Sequence, residues 1–201
     1  MKQQYLEQLL FKVKHGHQDS DRHVMTCFSI ALQIHARRIL ELGVRTGNTT
    51  LPFLCAAAEL GGMVHSVDLD ATTFQCPEDL NVYWQFYQSD AVAWLEQRHN
   101  EGGQYDLVYI DDWHAYDHVR RELELVAHMV TPSSVILLHD LMYSGTHPDY
   151  HSDPDTTDAQ WKGGGPYRAV AELDPAVWEW STIPVNHGLT ILRRKSGVIR
   201  K

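Results

Sequence analysis

Apolar residues along this chain switch between a helical spacing and short continuous runs, and each switch marks a new element. From about Gln4 to Lys14, and again from Asp21 to Arg37, they recur at helical intervals. In the second stretch Val24, Phe28, Ala31, Leu32 and His35 fall on one face, which predicts a helix packed on a sheet or covering a ligand. Strands are then expected near 38–44, 63–68, 82–88, 105–111 and 134–140, with helices near 48–60, 90–99 and 115–130. Tyr105 to Ile110 and Ser134 to Leu138 are runs of the kind a parallel sheet buries on both faces. This alternation predicts an α/β fold, a Rossmann-like doubly wound sheet of mostly parallel strands. Val177 to Val185 and Gly188 to Arg193 are β-like with Asn186-His187 between them, which predicts a C-terminal antiparallel hairpin.

Between sheet and hairpin, Leu141 to Gly165 is too long for a simple connection. It holds His147, Asp149, His151, Asp153, Asp155 and Asp158, then Trp161 and three glycines, and it follows no metal-ligand spacing. It reads either as a lid at the ligand edge or as a solvated excursion. The expected organisation is one domain over residues 1–201, with N-terminal helices at 1–37 and a lid-like insertion at 141–165.

Arg38 to Asp70 carries the first chemistry. A strand, a glycine-containing turn, a helix and a second strand ending in Asp68 place the turn and that acid at the same sheet edge. Ligands of open α/β sheets bind there, and an acid at this distance beyond the turn suits a ribose diol. A dinucleotide fits poorly, because Arg45 occupies the place of the second glycine in the G-x-G-x-x-G fingerprint. No G-x-x-x-x-G-K-[ST] loop is present for a nucleoside triphosphate.

The pattern Glu41-x-Gly43-x-x-x-Gly47-x-Thr49 resembles motif I of the class I S-adenosylmethionine (SAM) dependent methyltransferases. That resemblance implies SAM as cofactor. Glu41 would serve its ammonium side, Gly43, Gly47 and Thr49 would shape the turn, and amides at Asn48 to Thr50 would meet its carboxylate. A bare strand-to-helix turn is the plainer reading of the glycines. Ser89-Asp90, ending the third strand, stands where this fold places an adenine contact, although both residues are also favoured helix N-caps. The terminal hairpin is likewise a habit of the methyltransferase fold.

The fourth strand ends in Asp111-Asp112-Trp113-His114-Ala115-Tyr116 and the fifth in His139-Asp140. If the strands are neighbours, Asp111 and Asp140 converge, and their oxygens suit a hard cation such as Mg²⁺ that lowers a substrate hydroxyl's pKa. His114 could then take the proton as general base. Strand four resembles the catechol O-methyltransferase group, which would make Asp111 a metal ligand counted also among the cofactor contacts, Trp113 the adenine neighbour, and His114 the replacement for that group's lysine base. Asp111 to Tyr116 with His139-Asp140 is more similar still to the bacterial macrolide-sugar O-methyltransferases and cephalosporin hydroxylase-like proteins. One departure stands out: Leu141 follows Asp140 where the catechol group has an asparagine ligand. Asp112 or His139 would complete the ligand set, or the metal is absent. Arg168, on the first turn of a helix opened by Gly165-Pro166, either holds an anionic group of the substrate or is an ordinary surface arginine.

Composition narrows the field. With 201 residues, 43% of them hydrophobic, the chain can bury a full core. A formal charge of −9 without a basic run argues against nucleic acid. No apolar stretch approaches a membrane span, and Cys27, Cys55 and Cys76 show no paired spacing, so a cytoplasmic protein is expected. The leading expectation is metal-assisted O-methylation of a small-molecule acceptor, with a homodimer left open. The alternatives are a metal-free or N-methyltransferase, an inactive SAM- or metal-binding accessory protein, and a dinucleotide oxidoreductase disfavoured by Arg45. No Asn-Pro-Pro-Tyr-like element is present for exocyclic amines of bases.

Overall fold

The computed structural model describes residues 2–101, 104–142, 159 and 162–196. Seven strands form one sheet: β1 (Arg38–Leu42), β2 (Met63–Asp68), β3 (Trp84–Gln88), β4 (Tyr105–Ile110), β5 (Val130–His139), β6 (Trp178–Ile183) and β7 (Leu189–Arg194). Their order is β3-β2-β1-β4-β5-β7-β6. The first five are parallel, and β7 runs antiparallel between β5 and β6. This is the doubly wound sheet with a terminal hairpin, the class I methyltransferase arrangement.

Strand alternation explains its two cores. Leu40, Leu42, Val108 and Ile110 face α4 (Ala91–Arg98), α5 (Tyr116–Val126) and α6 (Gly165–Ala171). Ile39, Leu107, Tyr109 and Leu137 face the other way, toward α1 (Gln3–His15), α2 (Val24–Gln33) and α3 (Thr50–Leu60). Each buried Leu or Ile contributes about 1.5–3 kcal/mol by leaving water, so the central strands hold the sheet while their ends are left for chemistry.

Several boundaries move. Asn81–Tyr83 forms a 3₁₀ turn ahead of β3, and Asp21–His23 forms another ahead of α2. Helix α2 stops at Gln33, so His35 leaves the expected face and is exposed with φ +54. Strand β5 begins at Val130, because α5 ends early and the strand joins β4 through a register break after Tyr105. Arg168 is a surface residue, paired with Glu172 at 2.8 Å and stacked 4.2 Å over the Tyr116 ring. The His and Asp residues expected in a lid, His147 to Asp158, and Trp161 lie outside the described residues. Among those described, no helix is long and apolar enough to cross a membrane.

Candidate active site

A cavity of about 890 Å³ opens at the carboxyl ends of the strands, where β1 and β4 lie side by side and the connections diverge to opposite faces. Gly43 ends β1 with φ +89, and a Cβ there would stand 2.1 Å from the Asp111 carbonyl oxygen. Only glycine lets the two strand exits touch. Arg45 takes the left-handed conformation itself, φ +50, in place of the missing glycine. The amides of Val44 and Arg45 both donate to Asp68 Oδ2, at 2.7 and 2.8 Å, and the Asp70 amide donates to Oδ1 at 2.9 Å. Asp68 thus folds the turn and still lines the cavity, where Oδ1 has room for a further donor.

Not every residue expected at the cofactor reaches the cavity. Gly43, Thr49, Asp68, Asp90, Asp111 and Trp113 line it. Glu41 is fully buried behind it and accepts hydroxyl hydrogen bonds from Thr49 (2.7 Å), Thr50 (2.8 Å) and Ser66 (2.7 Å). The geometry here does not bring Glu41 to the place expected for the cofactor's ammonium: the carboxylate points into the fold, where three hydroxyls donate to it. Burial pushes the Glu41 carboxyl up to about 7 against those hydroxyls. Gly47 packs on Phe74 behind the turn, and Ser89 donates to the Asp90 carbonyl; neither is among the lining residues. Asp90 caps α4 through the Ala93 amide at 2.8 Å, so capping and lining coincide. Trp113 is 45% exposed at the rim, its indole free to cover a flat ring.

Four side chains converge where β4 and β5 end: Asp111, His114 and Asp140 line the cavity, and His139 lies buried behind them. Asp111 leaves β4, Asp140 leaves β5, and His114 Nε2 lies 2.8 Å from Asp140 Oδ2 and 3.5 Å from Asp111 Oδ1. His139 Nδ1 approaches the same two oxygens at 3.2 and 3.5 Å, yet neither ring nitrogen is aligned for a hydrogen bond with a described residue. Ligand atoms of Asp111, His139 and Asp140 all lie within 4.8 Å of one another. Asp140 sits at φ +65, a strained position for a residue other than glycine. Amide donation to the Gly188 carbonyl holds it there at 3.1 Å.

Charge governs this corner. Burial would raise both carboxyls, but the imidazoles outweigh it and hold Asp111 and Asp140 well below the carboxylate range. Burial would likewise depress His114, yet its contacts with Asp111 and Asp140 lift it to about 9. His139 is raised well above its ordinary value, where attraction to Asp111 and Asp140 overrides burial.

Sequence reasoning missed several contributors. Tyr109 donates to Asp111 Oδ2 at 2.8 Å, a contact the two-residue period of β4 could have signalled. His23 holds the Val185 carbonyl at 2.9 Å and packs edge-on 5.3 Å from the His139 ring, with no signal in the sequence. Gln18, Asp19 and Ser20, from the link between α1 and α2, wall the cavity, and Ser20 accepts from Asn48 at 2.6 Å. Beside the corner, Asp112, His118 and Glu122 form a second group with ligand atoms within 4.8 Å.

A family model described as "Methyltransferase domain" matches residues 40–141. No curated protein matches the chain. Among solved structures, the Bacillus cereus O-methyltransferase in complex with SAH is 20% identical; the match covers 97% of this chain and 92% of that one, with a TM-score of 0.68. The O-methyltransferase TomG of Streptomyces achromogenes, solved with SAM, is 15% identical over 98% and 92% of the two chains, with a TM-score of 0.66. MycE of the mycinamycin pathway, solved with Mg and SAH, is 16% identical over 90% of this chain and 52% of that one, with a TM-score of 0.60. At these identities the likeness establishes the shared fold.

Proposed function

The chain belongs to the methyltransferase-domain family, and on that premise we propose that it is a SAM-dependent O-methyltransferase acting on a small hydroxylated molecule with a divalent cation. The observation that carries this reading is the meeting of Asp111, His114 and Asp140 in the cavity that Asp68 and Trp113 also line, with His139 buried directly behind them. One end suits a nucleoside and the other suits proton removal.

The donor set fits a cation. Two carboxylates and an imidazole come within 4.8 Å of one another, and the buried His139 nitrogens lack a hydrogen-bond partner among the described residues. Carboxylates suit Mg²⁺ or Mn²⁺, and the imidazole tilts the choice toward Mn²⁺. Bound by Asp111, His139 and Asp140, the ion would supply Lewis-acid polarisation of the acceptor hydroxyl.

The chain's own groups do the rest. Asp68 receives the ribose diol, and Trp113 covers the adenine. Tyr109 fixes the Asp111 carboxylate from behind through its hydroxyl, 2.8 Å away. His114 Nε2 takes the acceptor's proton as the new O–CH₃ bond forms and the S–CH₃ bond breaks, its electron pair returning to sulfur. In the ion-free corner both carboxylates draw on His114 and keep it protonated. A cation held by Asp111, His139 and Asp140 would share the carboxylates' charge and so lower the hold they have on the His114 proton.

The test is SAM calorimetry with Mn²⁺ and then with chelator, followed by turnover on a panel of hydroxylated acceptors. Cofactor binding in both conditions, with turnover only in the presence of metal, is the expected pattern. Absence of SAM binding in both would sink the reading, and undiminished turnover in chelator would remove the metal from it.

A further inference from the structure

The second group of ligating side chains lies outside the machinery just described. Asp112 follows Asp111 on the exit of β4, while His118 and Glu122 stand one turn apart on α5. His118 Nε2 is 3.0 Å from Asp112 Oδ2 and 3.7 Å from Glu122 Oε1. Glu122 is fully buried, and neither of its oxygens has a hydrogen-bond partner among the described residues. Asp112 Oδ1 is buried and unpartnered as well. The acids Asp112 and Asp90 act on Glu122, and the one basic group facing it among the described residues is the His118 imidazole, 3.7 Å away and held closer by Asp112. A carboxylate withdrawn from water without a donor costs several kcal/mol, and a single imidazole shared between Asp112 and Glu122 leaves room for a further positive charge. Asp112 and His118 line the cavity, which gives an ion a path inward.

We infer that Asp112, His118 and Glu122 form a second metal site, for a divalent first-row ion such as Zn²⁺, separate from the corner of Asp111, His139 and Asp140. Bonds of about 2.0–2.2 Å to nitrogen and oxygen ligands imply ligand atoms roughly 3.0–3.5 Å apart, close to the separations around His118. Mixed imidazole and carboxylate ligation favours Zn²⁺ over Mg²⁺. An ion here would neutralise Glu122 and brace the segment from Asp111 to His114. The inference does not depend on the methyl-transfer reading.

The experiment uses the full chain carrying D111N and D140N together, which disables the first corner; asparagine tolerates the left-handed backbone at position 140. After stripping with chelator, the protein is titrated with Zn²⁺ by calorimetry and its thermal midpoint is followed. One equivalent should bind and raise the midpoint. Adding Glu122→Gln or His118→Ala should weaken that equivalent at least tenfold and abolish the midpoint shift. Zn²⁺ binding that survives both additions would place the ion on other histidines and overturn the site. Absence of Zn²⁺ binding in the D111N/D140N protein would overturn it too, leaving Asp112 and Glu122 to share a proton. Should Glu122→Gln fail to fold, His118→Ala decides alone.

Discussion

Glu41 and Asp68 on the side we assign to the cofactor, and Asp111 and Asp140 on the side we assign to the acceptor, are carboxylates near neighbouring strand ends that are satisfied in opposite ways. The first pair is met by neutral donors: three hydroxyls on Glu41 and three backbone amides on Asp68. The second pair is met chiefly by two imidazoles, of which His139 approaches without an aligned hydrogen bond among the described residues. Neutral donors fix a shape whatever the ligand does. Titratable partners leave charge that can be redistributed, and the difference separates a scaffold from a reaction centre.

The largest effect should come from disturbing the acceptor side. D111N and D140N should each lower turnover at least ~10³-fold, about 4 kcal/mol, while SAM affinity stays within about threefold. Calorimetry beside a methyl-transfer assay checks this, and a parallel loss of SAM binding would show that the two sides are not separable.

The cofactor side should respond in stability instead. Glu41 titrates near 4.5 when unfolded and near 7 in the fold, so its contribution is full below pH 4.5 and is lost as pH rises through 7. At 1.36 kcal/mol per unit this amounts to about 3 kcal/mol. Urea denaturation should therefore show Glu41→Gln gaining on the parent by about that much between pH 4 and pH 8. A pH-independent difference would mean that the hydroxyls fully compensate burial.

The smallest effect is expected at Asp68, where Asp68→Ala should weaken SAM about tenfold, roughly 1.4 kcal/mol, with the fold retained. Unchanged affinity would leave Asp68 as a turn-former only.

Much of this was legible in the sequence because topology turns strand ends into neighbours. Once β1, β4 and β5 are read as parallel, Gly43, Asp111 and Asp140 must share an edge. What escaped depends on tertiary context. The direction of Glu41 is set by hydroxyls of Thr49, ahead of α3, of Thr50 on α3 and of Ser66 on β2, and only Thr49 belongs to the motif that drew attention to it. Glu122 carries no signal of its own in the sequence, although Val119, Leu123 and Val126 mark that helix face as buried. The cavity wall from Gln18 to Ser20 carries no periodic signal at all.

The hairpin turn also orders events in time. Carbonyls of Val185, His187 and Gly188 hold His23, Met142 and Asp140, all made earlier by the ribosome. A nascent chain that has just released Asp140 already owns the turn and acid of the cofactor half, but the acceptor corner must wait until β7 slots in beside β5. During synthesis, the glycine turn and its acid are in hand before the corner of carboxylates and imidazoles can close.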